Sequence, residues 1–361
     1  MKHKKESTMK LGTLCPNLNL KLPSSDEQNV SKFLTKSGTF VDGDLRVNKY
    51  GVRIVSHSDV RNPPLIQPLD NQICLADFDA IKVVGKGTSG IVRLVQHKWT
   101  RQFFALKVIQ MSVEESTRKQ IAQELKINLS TQCPYVVLCY QCFYDNGAIS
   151  IVLEYMDGGS LADFLKKVKI IPEPYLAAIC KQVLKGLCYL HHQKHIIHRD
   201  LKPSNLLINH TGEVKITDFG VSTILASTSG QANTLIGTYN YMSPERIRAN
   251  RHGYRSDIWS LGVILLECAV GQFPYSPPQE EGWTTVFELM ETIVEQPPPV
   301  APADQFSSEF CSFISECVQK DPNARRSANE LLTHPFITMF EDLDIDLASY
   351  FTHAGCPLTT F

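Results

Sequence analysis

The hydrophobic pattern of this chain turns from mostly strand-like to helical at Gly158-Gly159. From Phe78 to about Tyr155, apolar residues come in short runs: Ile81–Val84, Ile91–Val95, Phe103–Ile109, Val136–Tyr144 and Ile149–Tyr155. Such runs predict a sheet of about five strands. One helix interrupts them. Ser112-Val113-Glu114-Glu115 has capping-box spacing, so a helix is expected from there to about Leu129. Beyond the two glycines the apolar residues step by three or four. Leu176, Ile179, Val183, Leu187 and Leu190 give one face of a helix. Ile258–Val270 is apolar nearly all round, which predicts a helix buried on every side. A small β-rich lobe followed by a larger helical lobe makes an α+β, bilobal fold with a cleft between the two.

The flanks differ in texture. Residues 1–77 mix lysines, Ser/Thr, Asn and short apolar stretches, and read as a mostly flexible leader. Within it, Leu45, Val47, Val52 and Ile54 alternate around Asn48-Lys49-Tyr50-Gly51, which predicts a hairpin over residues 44–55. The folded domain is expected over 78–337. A short tail follows at 338–361, acidic over residues 341–346. Formal net charge is −1, so any anion must be held by a local device and not by a global field. Eleven irregularly spaced cysteines fit a reducing compartment better than a disulfide scaffold. Cys139 and Cys142 have zinc or redox spacing, but no second pair accompanies them, and burial on alternate faces of a strand explains them. With no long apolar run and no secretory h-region after Lys2, Lys4, Lys5 and Lys10, a cytoplasmic location is expected, with the nucleus also open.

The chemistry is carried by a set of polar residues in fixed order. Gly85-Lys86-Gly87-Thr88-Ser89-Gly90 is a glycine turn whose backbone amides can approach phosphate oxygens. A strand follows it, where a dinucleotide fold would need a helix. Lys107 stands in an apolar strand seventeen residues later, with Glu124 on the predicted helix as its counter-ion. Then comes His198-Arg199-Asp200-Leu201-Lys202-Pro203-Ser204-Asn205. Phosphoryl transfer needs a carboxylate to orient the attacking hydroxyl, a cation near the moving group and a hard oxygen for Mg²⁺. Asp200, Lys202 and Asn205 supply these in turn. Asp218-Phe219-Gly220 adds a second metal oxygen thirteen residues on. The histidines at 191, 192, 195 and 198 suggest zinc, but the first two end a helix and His198 belongs to the catalytic run.

With these residues in this order, the stretch from Phe78 to Ile337 resembles the eukaryotic protein kinases. That resemblance implies ATP and Mg²⁺ as cofactors, Asp200, Lys202 and Lys107 as catalytic, and Asn205 and Asp218 as metal ligands. It implies a nucleotide site made of Val84, Gly85, Lys86, Gly87, Thr88, Ser89, Gly90, Ile91, Val92, Ala105, Lys107, Glu124, Leu153, Glu154, Met156 and Leu207. Leu153 is the expected gatekeeper, and Glu154–Met156 the hinge beside the adenine. Ser243-Pro244-Glu245 is similar to the family's Ala-Pro-Glu element, whose Glu pairs with a later Arg, here Arg325. Asp257, in Asp257-Ile258-Trp259-Ser260-Leu261-Gly262, is similar to the anchor of the catalytic loop, and Arg199 stands beside Asp200 in that loop.

The segment between Asp218 and Glu245 narrows the group. Gly237-Thr238-Tyr239-Asn240-Tyr241-Met242-Ser243 and Met156-Asp157-Gly158-Gly159-Ser160-Leu161 resemble the MAP kinase kinases. Thr228 and Thr234 flank five residues, the spacing of the plant members; Ser37-Gly38-Thr39-Phe40 is also plant-like, and Leu347-Ala348-Ser349-Tyr350-Phe351-Thr352 resembles the plant group with short C-termini. The resemblance implies a dual-specificity enzyme acting on Thr and Tyr of a MAP kinase, itself switched by an upstream kinase at Thr228 and Thr234. Arg199 would receive the added phosphate. Lys4, Lys5 and Lys10 before Leu18, Leu20 and Leu22 suggest a docking segment for the MAP kinase. The alternatives are a Ser/Thr kinase of the sterile-20-like type, or a kinase-fold scaffold without catalysis.

Overall fold

The computed structural model describes residues 33–35, 37–55, 73–87, 90–111, 115–218, 239–250, 252–275 and 285–354. The small lobe is an antiparallel sheet of β4 (Phe78–Gly87), β5 (Gly90–His97), β6 (Phe103–Gln110), β7 (Cys139–Asp145) and β8 (Ala148–Glu154), in spatial order β4-β5-β6-β8-β7. Helix α1 (Glu115–Ser130) lies between β6 and β7 in sequence. The expected cap at 112–114 falls outside the described residues. The two-residue period of the strands sorts their side chains. Ile149, Ile151 and Leu153 enter an inner cluster with Ile121 and Leu125 of α1, whereas Val152 joins Phe104 and Phe143 in an outer one. In β6, Lys107 falls between Ala105 and Ile109 in this alternation and is therefore carried to the inner face.

One expectation needs correction. Regular alternation would send Cys139 and Cys142 to opposite faces, but the pairing of β7 with β8 shifts register between Cys139 and Gln141. The bulge returns both thiols to the inner cluster, with their sulfurs 3.7 Å apart.

Ahead of the sheet, the expected hairpin is present as β2 (Leu45–Asn48) and β3 (Gly51–Ile54). A third strand, β1 (Phe40–Asp42), extends it to the order β1-β2-β3. Phe40, Leu45 and Val47 are buried in the inner cluster of the small lobe.

In the large lobe, β9 (Gly159–Ser160), β10 (Leu206–Ile208) and β11 (Val214–Ile216) form a small sheet. Among the described residues its α-helices are α2 (Leu161–Val168), α3 (Glu173–Cys188), α4 (Pro244–Ile247), α5 (Arg255–Val270), α6 (Val286–Glu295), α7 (Ser308–Cys317), α8 (Ala328–Leu331), α9 (Pro335–Thr338) and α10 (Leu347–His353). Helix α5 runs through the middle and is buried on nearly every side, as its all-round apolar sequence requires. It approaches α7 so closely that a Cβ on Gly262 would stand 2.6 Å from the Cβ of Cys317.

The acidic stretch of the tail leads into α10, which docks on the large-lobe core. Leu347 and Phe351, one helical turn apart, face inward; Phe351 meets Phe164 edge-on at 5.2 Å and Tyr350 stacks on Tyr175 at 3.8 Å. Lys181 of α3 pairs with Glu341 at 2.7 Å. Phe351→Ala should therefore cost about 3–5 kcal/mol of large-lobe stability, read as a lower urea midpoint in the full chain. An unchanged midpoint would mean that α10 contributes no packing.

Candidate active site

The glycine turn closes β4 onto β5, with Gly85 opposite Val92, Lys86 opposite Ile91 and Gly87 opposite Gly90. Thr88 and Ser89 lie outside the described residues. Gly90 has φ +130°, and a Cβ there would stand 2.2 Å from the Val108 carbonyl. Only glycine lets the turn lie this close to β6, one residue from Lys107. Val84 and Ile91 expose much of their apolar surface at this hairpin. Ala105 pairs with Leu153 across β6 and β8, and Leu153, Met156 and Leu207 belong to or pack on the same inner cluster. Their side chains are of the apolar kind that an aromatic base needs beside it. Glu154 is placed differently: its carboxylate turns to Lys215 of β11 at 2.6 Å and its backbone amide donates to the Leu138 carbonyl at 2.9 Å, so neither is offered to a ligand at the hinge.

Lys107 is buried and sits between two carboxylates. Its Nζ is 2.6 Å from Asp218 Oδ1 and 3.3 Å from Glu124 Oε1. Burial alone would lower the ammonium pKa, but the Asp218 and Glu124 charges outweigh it and hold the pKa above the usual lysine value. For Asp218 burial likewise opposes ionisation, yet the nearby Lys107 charge keeps its pKa low. Glu124 goes the other way: burial and then the Asp218 charge raise its pKa despite Lys107. The shorter bond thus marks the stronger partner. Glu124 Oε2 is buried with no hydrogen-bond partner among the described residues.

Across the cleft, Asp200 Oδ2 is 2.9 Å from Lys202 Nζ. The Asn205 amide donates to the Asp200 carbonyl at 2.7 Å and to Asp200 Oδ2 at 3.0 Å. With its nitrogen so used, Asn205 has its oxygen left for a hard cation, and Asp218 offers a carboxylate. Both donors are oxygens, which fits a small divalent metal and not zinc.

The turn at Asp218 has φ +60°, and the catalytic loop is itself strained at Arg199, with φ +69°. A buried carboxylate holds it. Asp257, at the start of α5, accepts from the His198 amide at 2.8 Å and the Arg199 amide at 2.9 Å, and its Oδ2 is 2.8 Å from His191 Nε2. His198 then contacts the Thr217 carbonyl at 2.9 Å, next to Asp218. Glu245 and Arg325 form a buried two-pronged pair at 2.8 and 2.9 Å. Thr228 and Thr234 lie outside the described residues.

Three participants went unread in the sequence. His191 closes the Asp257 cluster, and its signal was present, since it stands four residues after Leu187 on the buried stripe. Arg246 donates to the Arg199 carbonyl. Lys215 grips the hinge through Glu154 from 61 residues away, a distance no local pattern reveals.

Burial raises the Asp257 pKa, but hydrogen bonds and positive charge from His191, and the His198 contacts, bring it below the usual carboxylate value. The sign follows: its contribution is complete above the unfolded pKa of about 3.9 and is lost as pH falls through the lower folded pKa. Asp257→Asn should cost about 2–5 kcal/mol at neutral pH. That gap, read from urea unfolding, should stay level from about pH 8 to 5 and close below about pH 4. A gap that does not vary with pH would contradict the assignment.

Comparison with known proteins agrees with this geometry. Residues 78–337 match the protein kinase domain. Over 353 residues the chain is 76% identical to the mitogen-activated protein kinase kinase SIPKK of Nicotiana tabacum, covering 98% of this chain and 99% of that one. It is 66% identical to mitogen-activated protein kinase kinase 2 of Arabidopsis thaliana, covering 98% and 97%. It is 38% identical to the dual specificity mitogen-activated protein kinase kinase dSOR1 of Drosophila melanogaster, covering 96% and 91%. A lysine, two metal-type oxygens and a held carboxylate around one cleft, on a chain so similar to these, mark an ATP-dependent protein kinase that belongs to the plant MAP kinase kinases.

Proposed function

We propose that this enzyme moves the γ-phosphate of ATP to Thr and Tyr hydroxyls in the activation loop of a MAP kinase. The observation that carries this reading is the joining of Lys107 and Glu124 of the small lobe to Asp218 of the large lobe, whose Asp200, Lys202 and Asn205 form a second linked set, every named link within hydrogen-bond or ion-pair distance. The relatives' names support the substrate class. They also weigh against a sterile-20-like kinase, and the complete catalytic set weighs against a scaffold.

In this mechanism Asp200 accepts the proton of the incoming hydroxyl as its oxygen bonds to the γ-phosphorus, and the bond from that phosphorus to the ADP oxygen breaks. Lys202 neutralises charge on the group in flight. Lys107, oriented by Glu124, holds the α- and β-phosphates. Asn205 and Asp218 are the residues that would hold Mg²⁺, which supplies charge neutralisation at the β- and γ-phosphates. The backbone of the Gly85–Gly90 turn covers those phosphates. The enzyme forms no bond to the phosphoryl group itself; catalysis comes from positioning and from charge stabilisation.

Control is assigned to Thr228 and Thr234, phosphorylated by an upstream MAP kinase kinase kinase. Arg199 is exposed beside Asp200, a position suited to receive a phosphate, and its backbone is fixed by Asp257 and Arg246. A cytoplasmic location, with the nucleus also open, fits the nine cysteines that are all free thiols among the described residues. Among those residues no helix is long and apolar enough to cross a membrane.

Incubation with ATP, Mg²⁺ and a catalytically inactive MAP kinase, followed by mass spectrometry, should find label on both Thr and Tyr of one Thr-x-Tyr. Label on Ser/Thr alone would reject dual specificity. Asp200→Asn should lower kcat about 10²–10⁴-fold with ATP binding retained. Lys107→Arg should likewise fold and lose most turnover, because a wide planar fork replaces a point charge; normal activity in either variant would remove that residue from its role. Replacing Thr228 and Thr234 by Glu should raise basal activity, and no gain would count against the switch.

A further inference from the structure

Glu124 is not fixed by its own bonds. Its link to Lys107 is long at 3.3 Å, and its second oxygen is buried without a partner among the described residues. Where it sits is therefore set by where helix α1 sits. That helix has a sparse apolar stripe, chiefly Ile121, Ala122 and Leu125, with which to grip the sheet.

A segment before the kinase domain completes the grip. Phe40, Leu45 and Val47 of β1 and β2 share the inner cluster with Ile121, Ala122 and Leu125. The segment also takes the helix at two polar points. The Arg118 guanidinium lies 4.2 Å from the centre of the Phe33 ring, and Lys126 Nζ is 2.5 Å from Asp44 Oδ1. Those two residues are eight apart, about 12 Å along the helix axis, with Glu124 between them. The other edge of the segment is tied to β7, where the Val52 amide donates to Gln141 Oε1 at 3.2 Å and Phe40 lies 6.0 Å from Tyr144, ring to ring. Residues 33–55 thus bridge α1 to a strand of the sheet that carries Lys107.

We propose that residues 33–55 are a positioning element for phosphoryl transfer: the β1–β3 sheet clamps α1 against β7 and so sets the depth at which Glu124 meets Lys107. Residues outside the 78–337 domain thereby become part of the catalytic apparatus without touching the nucleotide. This rests on Lys107 and Glu124 acting on the phosphates.

The test uses the full chain. Asp44→Lys sets two ammonium groups against each other at one end of the clamp. Expected are a kcat lower by about two- to fivefold, an unchanged KM for the protein substrate, and faster amide exchange in residues 115–130 but not in 255–270. Adding Lys126→Asp reverses the pair and should restore both readouts to near wild type, and Asp44→Glu should behave as wild type throughout. Val47→Asp, which breaks the shared apolar cluster, should act in the same direction more strongly. Unchanged kcat and exchange in both Asp44→Lys and Val47→Asp would overturn the proposal. So would a loss in Asp44→Lys that Lys126→Asp does not rescue. Wild-type turnover of the same substrate is the reference, so an error in the substrate reading appears there and not in the ratio.

Discussion

A single buried ammonium organises the cleft. Lys107 comes from the small lobe and Asp218 from the large one, and their 2.6 Å contact is a direct polar link between the two. Removing a charge of this kind from water costs several kcal/mol, and it is tolerated only with partners of opposite sign close by. Glu124 and Asp218 share that duty unequally. One carboxylate is held ionised and the other is pushed toward protonation. An arrangement with one lysine and two competing acids can be re-sorted by any ligand that takes one of them. A site for a metal-bound polyphosphate needs that property.

The large lobe supplies the opposite quality, rigidity. Asp257 draws together two backbone amides and an imidazole, and the loop bearing Asp200 hangs from it in a backbone conformation that few residues adopt unaided. Helix α5 buries this carboxylate at the edge of the main core, so the loop's strain is opposed by packing over the whole lobe. The Glu245–Arg325 pair, stacked near Trp259 at 5.3 Å, ties the segment following residues 219–238 to the same core.

What could be read in advance was whatever the chain encodes locally. The two-residue period of β6 and β8 and the helical stripe from Leu176 to Leu190 gave the layers. The run from His198 to Asn205 gave the chemistry, because catalysis here needs particular groups a few residues apart. Three kinds of feature escaped. The bulge at Cys139–Gln141 breaks the period on which face assignment rests. Glu154 and Lys215 meet only through the fold. The docking of α10 buries Leu347 and Phe351 and stacks Tyr350 on Tyr175, too few apolar residues to announce a buried face. The hairpin at 44–55 was legible from its alternation, but its seat on α1 was not, since Phe33, Phe40 and Asp44 follow no common period.

The arrangement around Lys107 is tested most directly by a crystal structure of the enzyme with a non-hydrolysable ATP analogue and Mg²⁺. The expected result has Asn205 and Asp218 oxygens about 2.0–2.1 Å from the metal, with Lys107 hydrogen-bonded to both a phosphate oxygen and Glu124. A nucleotide bound with Lys107 turned away from its phosphates, or a metal held without Asn205 and Asp218, would contradict it.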